Sequence, residues 1–244
     1  MRSAAIALLV TLVTAPLFAA KVETRTLMSR GKERTYSLFV PDGLDPARPV
    51  PLLLTLHGSG RNGASLVDKW KTQAMLSRFI VAGPDSINPA QWISPEDGPQ
   101  LLYDLTEALA KQYPIDHRRV YLFGHSGGAC FALQIGMLES EYFAAVAIHA
   151  GALQPAVYGL TDFATRKIPI GIWSGTRDAS FPIADVRATR DALVKSGIPA
   201  ELTEMPNHTH DYYGPAAAIN KAAWDYLAQH ALPAEPKFTK YSNT

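Results

Sequence analysis

The feature that most constrains this chain is the stretch VYLFGHSGG over 120–128, an apolar run that ends in G-x-S-x-G and passes straight into a second apolar segment containing Ala129 and Cys130. A serine hydroxyl presented at the tip of a sharp strand-to-helix turn needs glycines two residues before and two residues after it, because the strained backbone there passes close to its neighbours. Gly124 and Gly128 occupy those places around Ser126. The pentapeptide alone also fits a glycine-rich turn with a serine capping a helix start. A strand before it and a helix after it favour the reading of Ser126 as a nucleophile.

The surrounding chain supplies the setting such a turn requires. Residues 33–40 read as a strand, and VPLLLTL over 50–56 as a strand buried on both faces. A helix over 64–78, with Leu66, Trp70, Ala74 and Met75 near one face, leads to a short strand over 79–82. The rhythm continues with a helix at 100–112, a strand at 120–123, a helix at 128–138, strands at 143–148 and 168–173, a helix at 183–195, a strand at 200–205 and an amphipathic helix at 215–230. Alternation of this kind builds crossover units, so the expected fold class is α/β: a mostly parallel central sheet with helices on both faces. No internal repeat or low-complexity linker interrupts it.

Composition narrows the classes further. With 47% hydrophobic and 18% charged residues, 23 Lys+Arg against 22 Asp+Glu and one cysteine, the chain is unlike a disordered segment, a disulfide scaffold or a basic nucleic-acid binder. Met1, Arg2 and Ser3 precede a stretch over 4–20 whose only non-hydrophobic members are Thr11, Thr14 and Pro16. Residues 1–20 are therefore expected to be a signal peptide cut after Ala19 or Ala20, with a retained membrane anchor as the competing reading. A single catalytic domain is expected over 21–244. Loss of Arg2 brings the basic residues to 22, equal to the acidic ones, for a formal charge of zero. The expected location is exported, periplasmic or secreted, where Cys130 has no partner and the core alone must hold the fold. No nucleic-acid partner is expected, nor a membrane once the leader is removed.

Ligands of open α/β sheets bind outside the carboxyl ends of the strands, so turns after strands are where chemistry is sought. The turn at 176–178 ends a late strand and offers Asp178, an acid able to orient and stabilise an imidazolium. Asp162 and Asp185 are weaker rivals, one in an irregular segment and one inside a helix. The segment 206–214 offers a base at His210 or at His208, which spacing alone does not separate. The order Ser, Asp, His is that of an α/β-hydrolase. After the early strand, HGSG over 57–60 is a turn where one oxyanion N–H is expected near Ser59, the second coming from Gly127. His57, His117, His125, His149 and His230 read as structural, with His117 and His230 exposed. The histidines lie at turns, without a Cys cluster or a helical H-x-x-x-H pair, so no metal and no organic cofactor is expected. His208-Thr-His210 is a minor metal-ligating alternative. Two loops are candidates for shaping substrate: 85–99, which contains Trp92, and 151–167. Trp92 either lines an acyl pocket or shields the core.

These features together carry a resemblance. Tyr103-Asp104 through YPIDHRRVY over 113–121, followed by GHSGG, resembles the esterase family that includes polyhydroxybutyrate depolymerase-like and feruloyl esterase-like proteins. The early LHG, the G-x-x-D acid loop and a late histidine ahead of a helix with an internal tryptophan, here Trp224, match as well. The resemblance spans about 36–227 and is specific at the elbow and its lead-in. It implies a Ser126, Asp178, His210 triad, with relatives ending in His-x-Tyr-Tyr or His-Asp-Trp favouring His210. It implies hydrolysis of small, aromatic or hydroxyalkanoate-type carboxylic esters through an acyl-enzyme. A peptidase or thioesterase on the same fold, or a non-catalytic binding protein, are the other readings. The family's cysteine pair and polymer-binding domain have no counterpart here, so soluble or oligomeric esters are expected over solid polymer.

Overall fold

A computed structural model describes residues 21–234; the leader expected over 1–20 lies outside them. In chain order the elements are β1 (Glu23–Ser29), β2 (Lys32–Phe39), β3 (Val50–Leu56), α1 (Gly63–Ser77), β4 (Ile80–Pro84), α2 (Pro99–Ala110), β5 (Ile115–His125), α3 (Gly127–Leu138), β6 (Ala145–His149), a 3-10 segment (Pro155–Phe163), β7 (Ile170–Gly175), α4 (Ile183–Lys195), β8 (Ala200–Met205) and α5 (Ala216–Leu227). The strands form one sheet in the order β1-β2-β4-β3-β5-β6-β7-β8. β3 through β8 are mutually parallel, whereas β2 at one side is antiparallel to both of its neighbours, β1 and β4.

Period-two alternation divides the side chains of this sheet between two cores. Leu52, Leu54 and Leu56 of β3 pack with Leu102, Leu105 and Leu109 of α2, with Leu133 and Ile135 of α3 and with Val186 and Leu193 of α4. Leu53 faces the other way, toward Leu66, Val67 and Trp70 of α1 and Ile219, Trp224 and Leu227 of α5. Helices therefore cover both faces. Both sides of β3 are shielded from water, which is why its sequence shows no polar alternation. Each fully buried leucine contributes roughly 1.5–3 kcal/mol.

The differences from the sequence reading lie at the margins of the sheet. β1 was not anticipated, because ETRTLMS is a half-exposed edge strand with little apolar content. It pairs with β2 in a hairpin whose two loop residues, Arg30 (φ 49°) and Gly31 (φ 72°), both take the left-handed conformation. Two-residue turns of that hand match the twist of a hairpin. β5 begins at Ile115 rather than 120, since Asp116 to Arg119 extend the strand past an irregularity in its pairing with β3.

From β3 the chain crosses to β4 on one side, and β5 returns on the other side of β3 before the sheet grows toward β6. That reversal opens a crevice at the carboxyl ends of β3 and β5. Residues 57–60 and 125–128 form its walls.

Candidate active site

Ser126 sits at φ 57° and ψ −123°, a conformation that L-residues rarely adopt. The flanking glycines show why the turn needs them. A Cβ on Gly124 would lie 2.3 Å from Gly128 O, and one on Gly128 would lie 2.0 Å from Leu56 O. The Ser126 N–H donates to His149 O at 3.1 Å, and Ser126 O accepts from Ala129 N at 2.9 Å and Cys130 N at 3.2 Å. The strained residue is thus held by β6 on one side and by the first turn of α3 on the other.

Asp178 follows β7, and its side chain is fully buried. Its Oδ1 accepts the N–H groups of Ser180 (2.8 Å) and Phe181 (2.9 Å), and its Oδ2 lies 2.8 Å from His210 Nδ1. His210 Nε2 lies 2.9 Å from Ser126 Oγ. A carboxylate only accepts, so Nδ1 carries the imidazole proton and Nε2 is free to accept from the serine hydroxyl. The two loops are joined through their backbones. Thr176 N donates to Met205 O (3.0 Å), Arg177 N to His208 O (2.9 Å) and Asn207 N to Thr176 Oγ1 (2.9 Å). A Cβ on Gly175 would lie 2.2 Å from His208 O, so the crossing depends on that glycine. The structure brings Ser126, Asp178 and His210 together. His208 turns away, its Nε2 lying 3.1 Å from His149 Nε2. Asp162 lies in the 3-10 segment and Asp185 in the first turn of α4.

Ser59 faces Gly127 across the crevice: a Cβ on Gly127 would lie 2.8 Å from Ser59 Oγ and 3.7 Å from Ser59 N. Two concavities meet at Ser59. One, of about 380 Å³, is lined by Gly58, Ser59, Arg61, His125, Ser126, His210, Asp211, Tyr212 and Tyr213. The other, of about 290 Å³, is lined by Ser59, Gln91, Trp92, Ser94, Gly127, Cys130, Phe131 and Gln134. A larger cavity of about 620 Å³ is lined by residues such as Arg25, Leu44 and Tyr113, away from Ser126. Of the two loops expected to shape substrate, 85–99 lines the second concavity. The segment 151–167 lines neither, because its 3-10 turns pack on α3 and α4 instead.

Trp92 was a sequence candidate; the partners that hold it and its loop, Phe131, Arg34 and Asp97, were not singled out from sequence. Trp92 stacks on Phe131 (5.2 Å between centroids, 12° between planes) and donates its indole N–H to His57 O at 2.9 Å. His57 is buried, and burial lowers its pKa. Its Nε2 lies 3.1 Å from Ser86 N, which can only donate, so its proton sits on Nδ1 and goes to Gly58 O at 2.9 Å. Asp97, fully buried, pairs with Arg34 and accepts from Ile87 N and Ile93 N, both at 2.9 Å. That pair anchors the Trp92 loop to β2. Cys130 packs on the elbow helix, its Sγ donating to Ala152 O at 3.1 Å, and it also reaches the second concavity; burial raises its pKa. His117 and His230, expected at the surface, are half-buried. The sequence signal for these roles was thin: a histidine after a strand and an aspartate before a proline-started helix.

The model of the dienelactone hydrolase family matches residues 94–232. A bifunctional acetylxylan esterase/xylanase of Neocallimastix patriciarum is 31% identical over 153 residues, which is 61% of this chain and 22% of that protein. The chain thus spans about a fifth of the length of that relative. Among solved structures, a thermostable esterase superposes with a TM-score of 0.69 at 22% identity, over 86% of this chain and 63% of that one. A ferulic acid esterase from Anaeromyces mucronatus superposes with a TM-score of 0.68 at 19% identity, over 84% of this chain and 89% of that one. What these two structures share with the chain is the α/β-hydrolase fold.

Proposed function

This chain belongs to the dienelactone hydrolase family, and from that premise we propose that it is an exported serine esterase that hydrolyses carboxylic esters through an acyl-enzyme on Ser126. The observation that carries the reading is the hydrogen-bonded series Asp178–His210–Ser126, with separations of 2.8 and 2.9 Å. His210 takes the Ser126 proton as the oxygen attacks the ester carbonyl, and Asp178 holds the imidazolium that forms. The N–H groups of Ser59 and Gly127 receive the oxyanion. His210 then returns the proton to the leaving alcohol, and water, activated by the same imidazole, releases the acid.

Small, aromatic or hydroxyalkanoate-type esters, free or oligomeric, are the proposed substrates. The stacked Trp92 and Phe131 beside Ser59 and Gly127 support an acyl group with a flat or apolar body. The names of the relatives, an acetylxylan esterase and a ferulic acid esterase, are consistent with that class. Export is supported by the apolar stretch over 4–20 after Arg2; amino-terminal sequencing of protein recovered from the periplasm or medium tests it, and a chain that still begins at Met1 would count against it.

A fluorophosphonate probe followed by peptide mapping tests the nucleophile. An adduct at Ser126 is expected, and folded protein that stays unlabelled would leave only a binding role. Turnover of p-nitrophenyl esters, feruloyl esters and peptidyl amides by one preparation tests the bond cleaved. Amide turnover well above ester turnover would make the chain a peptidase.

A further inference from the structure

Behind Ser126 lies a row of imidazoles that acyl transfer does not use. His125 ends β5, His149 ends β6 in register with it, and His208 follows β8. His125 Nδ1 lies 3.1 Å from His149 Nδ1, and His149 Nε2 lies 3.1 Å from His208 Nε2. Each contact is a hydrogen bond that needs one proton. His149 is fully buried and His125 is 5% exposed, while His208 is half-buried on its loop. The unused nitrogens lie at the two ends. His125 Nε2 takes part in neither of these ring contacts, and His125, which also meets the His149 backbone, lines the concavity at Ser126. His208 Nδ1 likewise takes part in neither of them.

Burial, with His210 beside it, pushes His125 down to about 4; burial, with His125, His208 and His210 around it, pushes His149 down to about 2. Near neutral pH each inner ring therefore carries one proton. A protonated His208 can only donate. His149 Nε2 must then accept, so its single proton sits on Nδ1 and goes to His125 Nδ1. The single proton of His125 is left on Nε2, on the side of the cleft. With His208 neutral the opposite polarity is also open, with His125 Nδ1 donating inward and Nε2 bare.

We propose that His208 and His149 are positioning residues that set the tautomer of His125, and that His125 Nε2 donates a hydrogen bond to an oxygen of the bound ester when His208 is charged. The substrate contact rests on the acyl-transfer reading of Ser126; the tautomer linkage does not. The groups facing His125 are His210 at 5.1 Å, Tyr212 at 5.2 Å and Tyr213 at 5.9 Å between ring centroids, with Asp178 and Asp211 favouring its charged form. Tyr212 also faces His149 at 5.8 Å. His208 meets the ring of His149 and, through its carbonyl, the backbone of Arg177.

Long-range proton–nitrogen spectra of the full protein with 15N-labelled histidine, recorded from about pH 8 to pH 5, separate a protonated Nε2 from a bare one. His125 Nε2 is expected to gain its proton as the pH falls across this range, and His208→Ala is expected to abolish that step. A His125 pattern that does not change across this range, or whose change persists in His208→Ala, overturns the linkage. In kinetics on a soluble ester, wild type is expected to exceed His208→Ala in kcat/KM by about two- to tenfold at the acid end of that range and to match it at the alkaline end, the size of one hydrogen bond. Equal profiles at every pH overturn the substrate contact. Fluorophosphonate labelling of Ser126 keeps the two readings apart. Linkage without labelling supports the relay and removes acyl transfer, whereas labelling without linkage overturns the relay and spares acyl transfer.

Discussion

The positive φ of Ser126 costs on the order of 1–3 kcal/mol, and it persists because its neighbours leave the chain no other path. Gly128 is the most confined of them, with Leu56 O and His57 O where a Cβ would go. Backbone atoms of a central strand cannot yield as a flexible side chain can, so Gly128→Ala is expected to cost about 3 kcal/mol or more. Urea denaturation checks this; a loss below about 1 kcal/mol would mean that β3 and α3 separate more easily than their packing implies. The two histidines of the late loop make a second comparison. His210 touches both Ser126 and Asp178, so His210→Ala is expected to lower kcat by about a thousandfold or more. His208 touches neither, and His208→Ala is expected to stay within about tenfold of wild type. A reversed pair of results would move the base to His208.

At the scale of elements, the loop carrying Trp92 is anchored at one end by a buried ion pair. Asp97 has no exposed side-chain surface and Arg34 only 6%. Asp97→Ala leaves that guanidinium buried without its counter-charge and also strips Ile87 N and Ile93 N of their acceptor. A loss of about 3–5 kcal/mol is expected, with new protease cuts within 85–98 before the rest of the chain opens. Denaturation and timed proteolysis check it; a variant as stable as wild type, with the loop still protected, would contradict the role. Trp92→Ala acts on the same loop from its other end. It removes the stack on Phe131 and the indole bond to His57 O, so KM for aromatic esters is expected to rise several-fold more than KM for acetyl esters. These dependencies also show what the sequence could reveal. β3, α4 and β8 were legible to the residue, because a doubly buried run or a marked turn is written in adjacent residues. The elbow, the acid turn and the late histidine loop were legible for the same reason. The Arg34–Asp97 pair joins residues 63 apart in the chain, and the choice between His208 and His210 depends on a crossing over Gly175. Neither leaves a local pattern. β1 was missed because an edge strand with one solvated face has no need of apolar side chains, although Arg30-Gly31 is a usable hairpin signal.

For the molecule as a whole, the buried imidazoles set the acid limit of the fold. His57, His125 and His149 are all lowered by burial, the last two to about 4 and about 2. In the unfolded chain each titrates near the ordinary histidine value of about 6.5. Above that pH both states are neutral and the shifts contribute nothing to stability. Below it the unfolded chain binds protons that the native state refuses, so stability falls as pH falls. His125 alone removes about 3 kcal/mol between pH 6.5 and 4 at about 1.4 kcal/mol per pH unit, and His149 goes on removing stability below that. The urea midpoint is therefore expected to drop steeply from pH 6.5 to pH 4.5, where carboxylates are still largely ionised, and unfolding near pH 5.5 is expected to take up more than one proton. Calorimetry in buffers of different ionisation enthalpy measures that uptake directly, and a value near zero at pH 5.5 would mean that the interior imidazoles are charged in the native fold.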